Sequence, residues 1–477
     1  MYERTHYKQK ESIGNATLIL AAFATAFFPR LFTYFGAPSP LNFVHFLVIP
    51  VVSWIAITTT KITNRRQVSF FQELLFASGI LFTATLASTI ITQAGVANML
   101  LQYMLLAEPF ILLLGIIAIP LTGKRLEQFR TWIIGFGLSN LGLALAQSVL
   151  MPIGFYPRRG GTLQDNIAGV FASGSGSAGN YISCAVSIYF ALYILNFSKS
   201  FPPWLKYTIV AASFYQAYIS DSKQVLLGLL VGFFLTALSR VENPGKVLKY
   251  LIPLIIFVAI LIWALQNPDI HFLSAYRNWT NRAHLYSFEG DAFQTKTAAF
   301  RIIPTHYDSA INWLFGLGPG HSVSRLGGWM IKKYADLLAP LGVTLHPASE
   351  EVFQVVYDGW IAQESTIFFP LFTWAGIWGD LGFVGLFSYL YVCNVIWKGT
   401  CKDDVCRFMV LSTAVLGFML TQMEEPGQML TVVCLLGLRW HERQAERQSV
   451  VQAETPQSPL SKRKPDFGPP LLEGTGG

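Results

Sequence analysis

Apolar runs of about 15 to 25 residues recur along this chain, at 15–36, 41–59, 70–92, 100–121, 131–153, 176–197, 205–219, 224–239, 248–266, 376–397, 408–423 and 428–439. Wound as a helix, a run of that length matches the hydrocarbon thickness of a bilayer, where every backbone N–H and C=O must be satisfied within the protein. A helix meets that demand inside one segment. A membrane β-barrel would instead show strands of about 10 residues with alternating polarity. The composition agrees, with 52% hydrophobic residues against 13% charged. The expected fold is therefore an all-α polytopic membrane protein with about 12 transmembrane helices.

Basic residues set the expected orientation, because short cytoplasmic loops retain Lys and Arg. With the N-terminus inside, 23 of the 34 Lys and Arg fall in cytoplasmic segments. Only Arg30, Arg158, Arg159 and Lys223 fall in short outer ones, and both termini are cytoplasmic. This divides the chain into helices one to nine (1–266), one large extracytoplasmic loop between helices nine and ten (267–365), helices ten to twelve (366–440) and a disordered cytoplasmic tail (441–477) rich in Gln, Ser, Pro and Gly. The net charge of +7 then reports topology and contact with a lipid bilayer, not nucleic-acid binding. All five cysteines lie in spans or cytoplasmic loops, so no disulfide framework or zinc site is expected.

Three polar clusters fall on the outer side. "YPRRGGTLQDN" places Arg158 and Arg159 beside paired glycines, as an ordinary loop or as a substrate contact. "SDSKQVLLGLLVG" opens a span with Lys223, which either snorkels to the interface or offers a charge to an anion; Gly228 and Gly232 follow at close-packing spacing. "RIIPTHYDSAINWLFGLGPG" begins with Arg301 and ends in a turn whose Gly316, Gly318 and Gly320 let backbone approach a ligand, with His321 and Arg325 just beyond. The turn lacks the Lys-Ser/Thr of a nucleotide-binding loop.

The Ser-x-Ser-basic turn, the Arg followed by "LFGLGPG" in a late outer loop, and a helix beginning "GDLGFVG" at 379 together resemble the O-antigen ligase and O-antigen polymerase superfamily. That resemblance implies transfer of a glycan from a polyprenyl-pyrophosphate-linked donor to a glycan acceptor on the outer face of a bacterial cytoplasmic (inner) membrane. Polysaccharide export proteins would be the partners. By it, Lys223 and Arg301 would bind the pyrophosphate, the glycine turn would shape the loop over the lipid head, and Asp380 would stand in the late helix motif. The superfamily's His-Asn pair before that motif is missing, so the proton acceptor falls to Glu364, His321 or His346, with Glu364 preferred for its place before "IFFPLFTW". A Glu364 that is merely solvated is the plainer alternative.

A pyrophosphate ester is already a good leaving group, so cations and an aimed hydroxyl suffice. No acidic dyad follows the first span, and neither metal nor cofactor is expected. The alternative class is a secondary transporter built around the intramembrane Glu108. The topology has a direct check: a reporter fused near residue 330 should be extracytoplasmic, and fusions at 125 and 445 cytoplasmic. A cytoplasmic signal at 330 would overturn the assignment.

Overall fold

The computed structural model describes residues 14–454 apart from Thr63, 173–177 and most of 241–282. Among the described residues all regular structure is helical. Seven helical stretches are long and apolar enough to cross a membrane: Asn15–Tyr34, Ser39–Thr59, Arg65–Thr92, Val96–Ala118, Gly123–Leu150, Gly179–Phe197 and Thr366–Thr400. Shorter helices at Pro203–Ile219, Lys223–Leu238 and Asp404–Leu416 occupy three further expected spans. The expected ninth span, 248–266, lies largely outside the described residues.

Two boundaries differ from expectation. Helix Gly123–Leu150 starts eight residues before the apolar run at 131, because a polar first turn "GKRLEQFR" is helical too. The last helix, Pro426–Glu454, runs well past 441 into the stretch read as tail. "RQAERQSVVQAE" consists largely of good helix formers. Arg439 also spans successive turns to reach Glu442 and Glu446, at 3.1 and 3.0 Å. Residues 455–477 lie outside the described residues.

Helix faces follow the 3.6-residue period. In Ser39–Thr59, Val44, Leu47, Val51 and Trp54 are exposed, while His45, Ile49, Ser53 and Ala56 are buried. The buried face packs on Val96–Ala118, where a Cβ on Gly115 would lie 2.8 Å from Ser53 Oγ. Small residues let membrane helices approach in this way.

Helix Thr373–Thr400 is broken at Gly382, whose φ of 63° lies in the left-handed region that glycine tolerates. A break inside apolar surroundings frees carbonyls that need donors. The turn after Phe315 supplies them. Leu317 N–H donates to Gly379 O at 2.9 Å, and Gly318 N–H to Asp380 O at 3.0 Å. Ser88 Oγ donates to the carbonyls of Phe315 and Asp380 from helix Arg65–Thr92. A Cβ at Gly316 would meet the Asp380 carbonyl at 2.4 Å, so the backbone-to-backbone approach requires glycine there.

An ion cluster closes one end of the bundle, where Arg439 joins Asp403 and Glu442, and Arg130 donates to Glu442 at 2.7 Å. The start of the same helix, Pro426, lies 16 residues earlier, about 24 Å away along the axis. Two polar ends thus flank an apolar belt of roughly membrane thickness.

Helix Lys223–Leu238 packs on Asp404–Leu416 through its glycines: a Cβ on Gly232 would sit 2.6 Å from Ser412 Cα. Gly232→Leu should therefore cost about 1–3 kcal/mol by overpacking, read as a lowered unfolding temperature in detergent. An unchanged transition would show that these two helices do not depend on that contact.

Candidate functional site

A cavity of about 340 Å³ opens where four parts of the chain meet: the end of the first helix, the start of Ser39–Thr59, the segment 325–334 and the turn into Pro426. Its size suits a small polar headgroup. Arg30, Arg325, Lys333 and Glu425 line it.

Each cation arrives by simple local geometry. Arg30 follows Pro29 at the first turn of a short helix, Pro29–Tyr34. Arg325 precedes a π-helical turn, Leu326–Met330, which runs on into Ile331–Lys333. Such wide turns are frequent at functional sites. Arg325, Trp329 and Lys333 share one face, and Trp329 has the Arg325 guanidinium 5.0 Å and the Lys333 ammonium 5.5 Å from its ring centre. The indole holds two like charges on one side of the cavity.

One carboxylate offsets part of this charge. Glu425 pairs with both Arg30 and Arg325. Burial alone would raise its pKa, but the two guanidiniums outweigh burial and hold it below the usual glutamate value. Its neighbour Glu424 differs: burial pushes it up to about 8, although Arg325 N–H donates to its Oε2 at 2.8 Å. Even with both glutamates charged, Arg30, Arg325 and Lys333 outnumber them. Burial, then Arg30 and Arg325, lower the Lys333 pKa, which fits a crowded positive site. Arg325 is only 8% exposed, and its Nε is buried without a hydrogen-bond partner. Such an orphaned donor is costly unless a ligand or water meets it.

Of the sequence candidates, Arg325 reaches this cavity and others are engaged elsewhere. Arg301 bonds within its own helical segment, to Thr297 Oγ1 at 2.9 Å and Gln294 O at 2.6 Å. Arg158 donates to Gly161 O, and Arg159 lies 5.3 Å from the Tyr34 ring centre. Lys223 pairs with Asp221 at 2.7 Å. Gly316, Gly318 and Gly320 pack against the broken helix, and the Asp380 carboxyl accepts from Gly320 N–H and Ser322 N–H at 3.0 and 2.7 Å. Turn and aspartate thus form a structural joint. His321 has both ring nitrogens occupied, by Leu317 O and Thr344 Oγ1. His346 Nδ1 caps the helix Pro347–Asp358. Glu364 ends the helix Trp360–Glu364, and its side chain lies outside the described residues.

Arg30, Lys333, Glu424 and Glu425 were not singled out for this site from the sequence. The sequence carries a local signal for Lys333 in the Arg325–Trp329–Lys333 spacing and for Glu424 and Glu425 in the "EEP" between the last two apolar runs, but none for Arg30. No protein-family model matches the chain, and no curated protein matches its sequence.

The raised Glu424 pKa fixes a sign. The folded state holds this proton more tightly than the unfolded chain, so its contribution to stability is fully present below the ordinary value of 4.5 and declines as pH rises to about 8. Wild type should lose thermal stability across that window relative to Glu424→Gln. Parallel pH profiles would show that Glu424 ionises freely.

Proposed function

We propose that the chain is a membrane glycosyltransferase, joining a polyprenyl-pyrophosphate-linked oligosaccharide to an acceptor glycan as an exopolysaccharide or O-antigen polymerase, or as a ligase. It acts on the outer face of a bacterial inner membrane without a metal, within a topology of about 12 spans. The observation that carries this proposal is the cavity lined by Arg30, Arg325 and Lys333 with one lining carboxylate, Glu425.

Two planar guanidiniums and an ammonium suit a diphosphate, since arginine forks onto paired oxygens while lysine acts as a point charge. Charge grows on the diphosphate as the sugar leaves, and cations fixed beforehand stabilise that growth without reorganising. The exposed apolar face of the cavity-lining helix Ser39–Thr59, with Val44, Leu47 and Val51, suits a lipid tail running from the cavity into the bilayer. Arg301, bonded within its own segment, takes no part in this assignment.

The transporter alternative would use Glu108, which pairs with His45 at 2.6 Å, as a proton-coupling site. The break at Gly382 is filled by protein hydrogen bonds.

Purified protein given a polyprenyl-pyrophosphate-linked glycan and an acceptor in EDTA should release the diphosphate lipid and form product. Arg325→Ala should lose on the order of 3 kcal/mol in the transition state, about a hundredfold in rate. Arg325→Lys should fall between, and Arg301→Ala should stay near wild type. Solute transport without glycan product, or an active Arg325→Ala, would overturn the proposal.

A further inference from the structure

The wall that helix Ser39–Thr59 gives to the same cavity carries a second chemical feature. His45 lines the cavity although it is only 4% exposed, and its Nδ1 lies 2.6 Å from Oε1 of Glu108, itself 1% exposed. The pair joins two helices that run parallel in close contact: eight residues beyond His45, Ser53 meets Gly115, seven residues beyond Glu108. That packing fixes the imidazole.

A carboxylate on Nδ1 selects the tautomer with the proton there, leaving the Nε2 lone pair as an acceptor. Among the described residues no protein group hydrogen-bonds Nε2. Asn42, three residues earlier, lines the same cavity, and its Oδ1 is buried with no hydrogen-bond partner. Two acceptors without donors thus share one cavity with two guanidiniums and an ammonium. Phosphate oxygens suit the cations. What suits the acceptors is a hydroxyl.

Resting on the function proposed above, we propose that His45 is the general base of the transfer, that Glu108 positions it, and that Asn42 holds the acceptor sugar by a hydroxyl. The step balances within the site. The acceptor oxygen bonds to the anomeric carbon while its proton passes to His45 Nε2. The bond from that carbon to the phosphate oxygen breaks, and its electron pair leaves on the diphosphate held by Arg30 and Arg325. The imidazolium so formed stands beside the Glu108 carboxylate, which offsets its charge; Glu108 itself takes no proton. This role explains why a carboxylate is kept between membrane helices, where an unpaired one would be costly.

The test uses full-length protein in lipid nanodiscs, with two readouts. One is glycan transfer at saturating donor and acceptor, and the other is binding of inorganic pyrophosphate by calorimetry. His45→Gln should keep wild-type pyrophosphate affinity, which also reports a folded cavity, while its transfer rate falls by about 10²- to 10⁴-fold. In His45→Ala, added imidazole should restore part of the rate; a merely structural pair would not respond. Glu108→Gln should lower the rate at unchanged pyrophosphate affinity, and Glu108→Asp, which keeps the carboxylate, should restore part of it. Arg30, Arg325, Lys333, Tyr334 and Glu425 also line the cavity, and these same variants leave them in place. A His45→Gln protein that transfers at the wild-type rate would overturn the dyad alone. So would loss of pyrophosphate binding in His45→Gln together with no imidazole rescue in His45→Ala. A wild-type protein that binds pyrophosphate but makes no glycan would overturn the transferase proposal itself, and the dyad with it.

Discussion

Glu425 holds together three parts of the chain that lie 100 or more residues apart in sequence. It pairs with Arg30 at the end of the first helix and with Arg325 in the late segment, and it immediately precedes the last long helix. Buried ion pairs add little net stability, because desolvating the charges offsets most of their attraction. Their geometry is nevertheless strict. A guanidinium buried without its carboxylate is strongly destabilising, so these three segments must meet in one arrangement. That arrangement forms the cavity, and the unequal count of charges gives it a sign.

The helical architecture was legible because it follows from run length and period. Ser39–Thr59 shows this well: its apolar run fixed the helix, and the alternation of His45, Ile49, Ser53 and Ala56 with Val44, Leu47, Val51 and Trp54 set its faces. The glycine turn was legible only as a turn. Its sequence required close backbone approach, but nothing local said that the approaching backbone would be Gly379–Asp380, more than sixty residues on. The helix continues past 441 because ion pairing counts there beside composition, with Arg439 reaching acids one and two turns ahead; 455–477 lie outside the described residues.

The site was harder to read, for a physical reason. Arg158, Lys223 and Arg301 stand out in sequence because they lie in polar loops, and in such loops they find nearby partners: Gly161, Asp221, Thr297. Arg30, His45 and Glu425 are each embedded in or beside apolar helices, so they resemble topology markers or loop ends when read in order. Their partners are long-range, with 395 residues separating Arg30 from Glu425 and 63 separating His45 from Glu108. Only Arg325 was visible both ways, beside the glycine turn and inside the cavity.

Group transfer and transport ask different things of such a cavity. A carrier needs a path onward through the protein, and backbone groups or carboxylates that exchange partners as that path opens. Here the helix beyond Glu108 is closed in by Leu112, Leu113, Ile116 and Ile117, all fully buried. The carbonyls freed by the Gly382 break are held by Leu317, Gly318 and Ser88. A transferase needs instead a dead-end pocket in which charge can develop against fixed dipoles and fixed ions, with nothing required to move at the moment of reaction. Under the proposed transfer, cations tied to Glu425 and an imidazole tied to Glu108 would supply those fixed charges. On the proposed transfer, the buried Glu108 holds the imidazole for chemistry done in place.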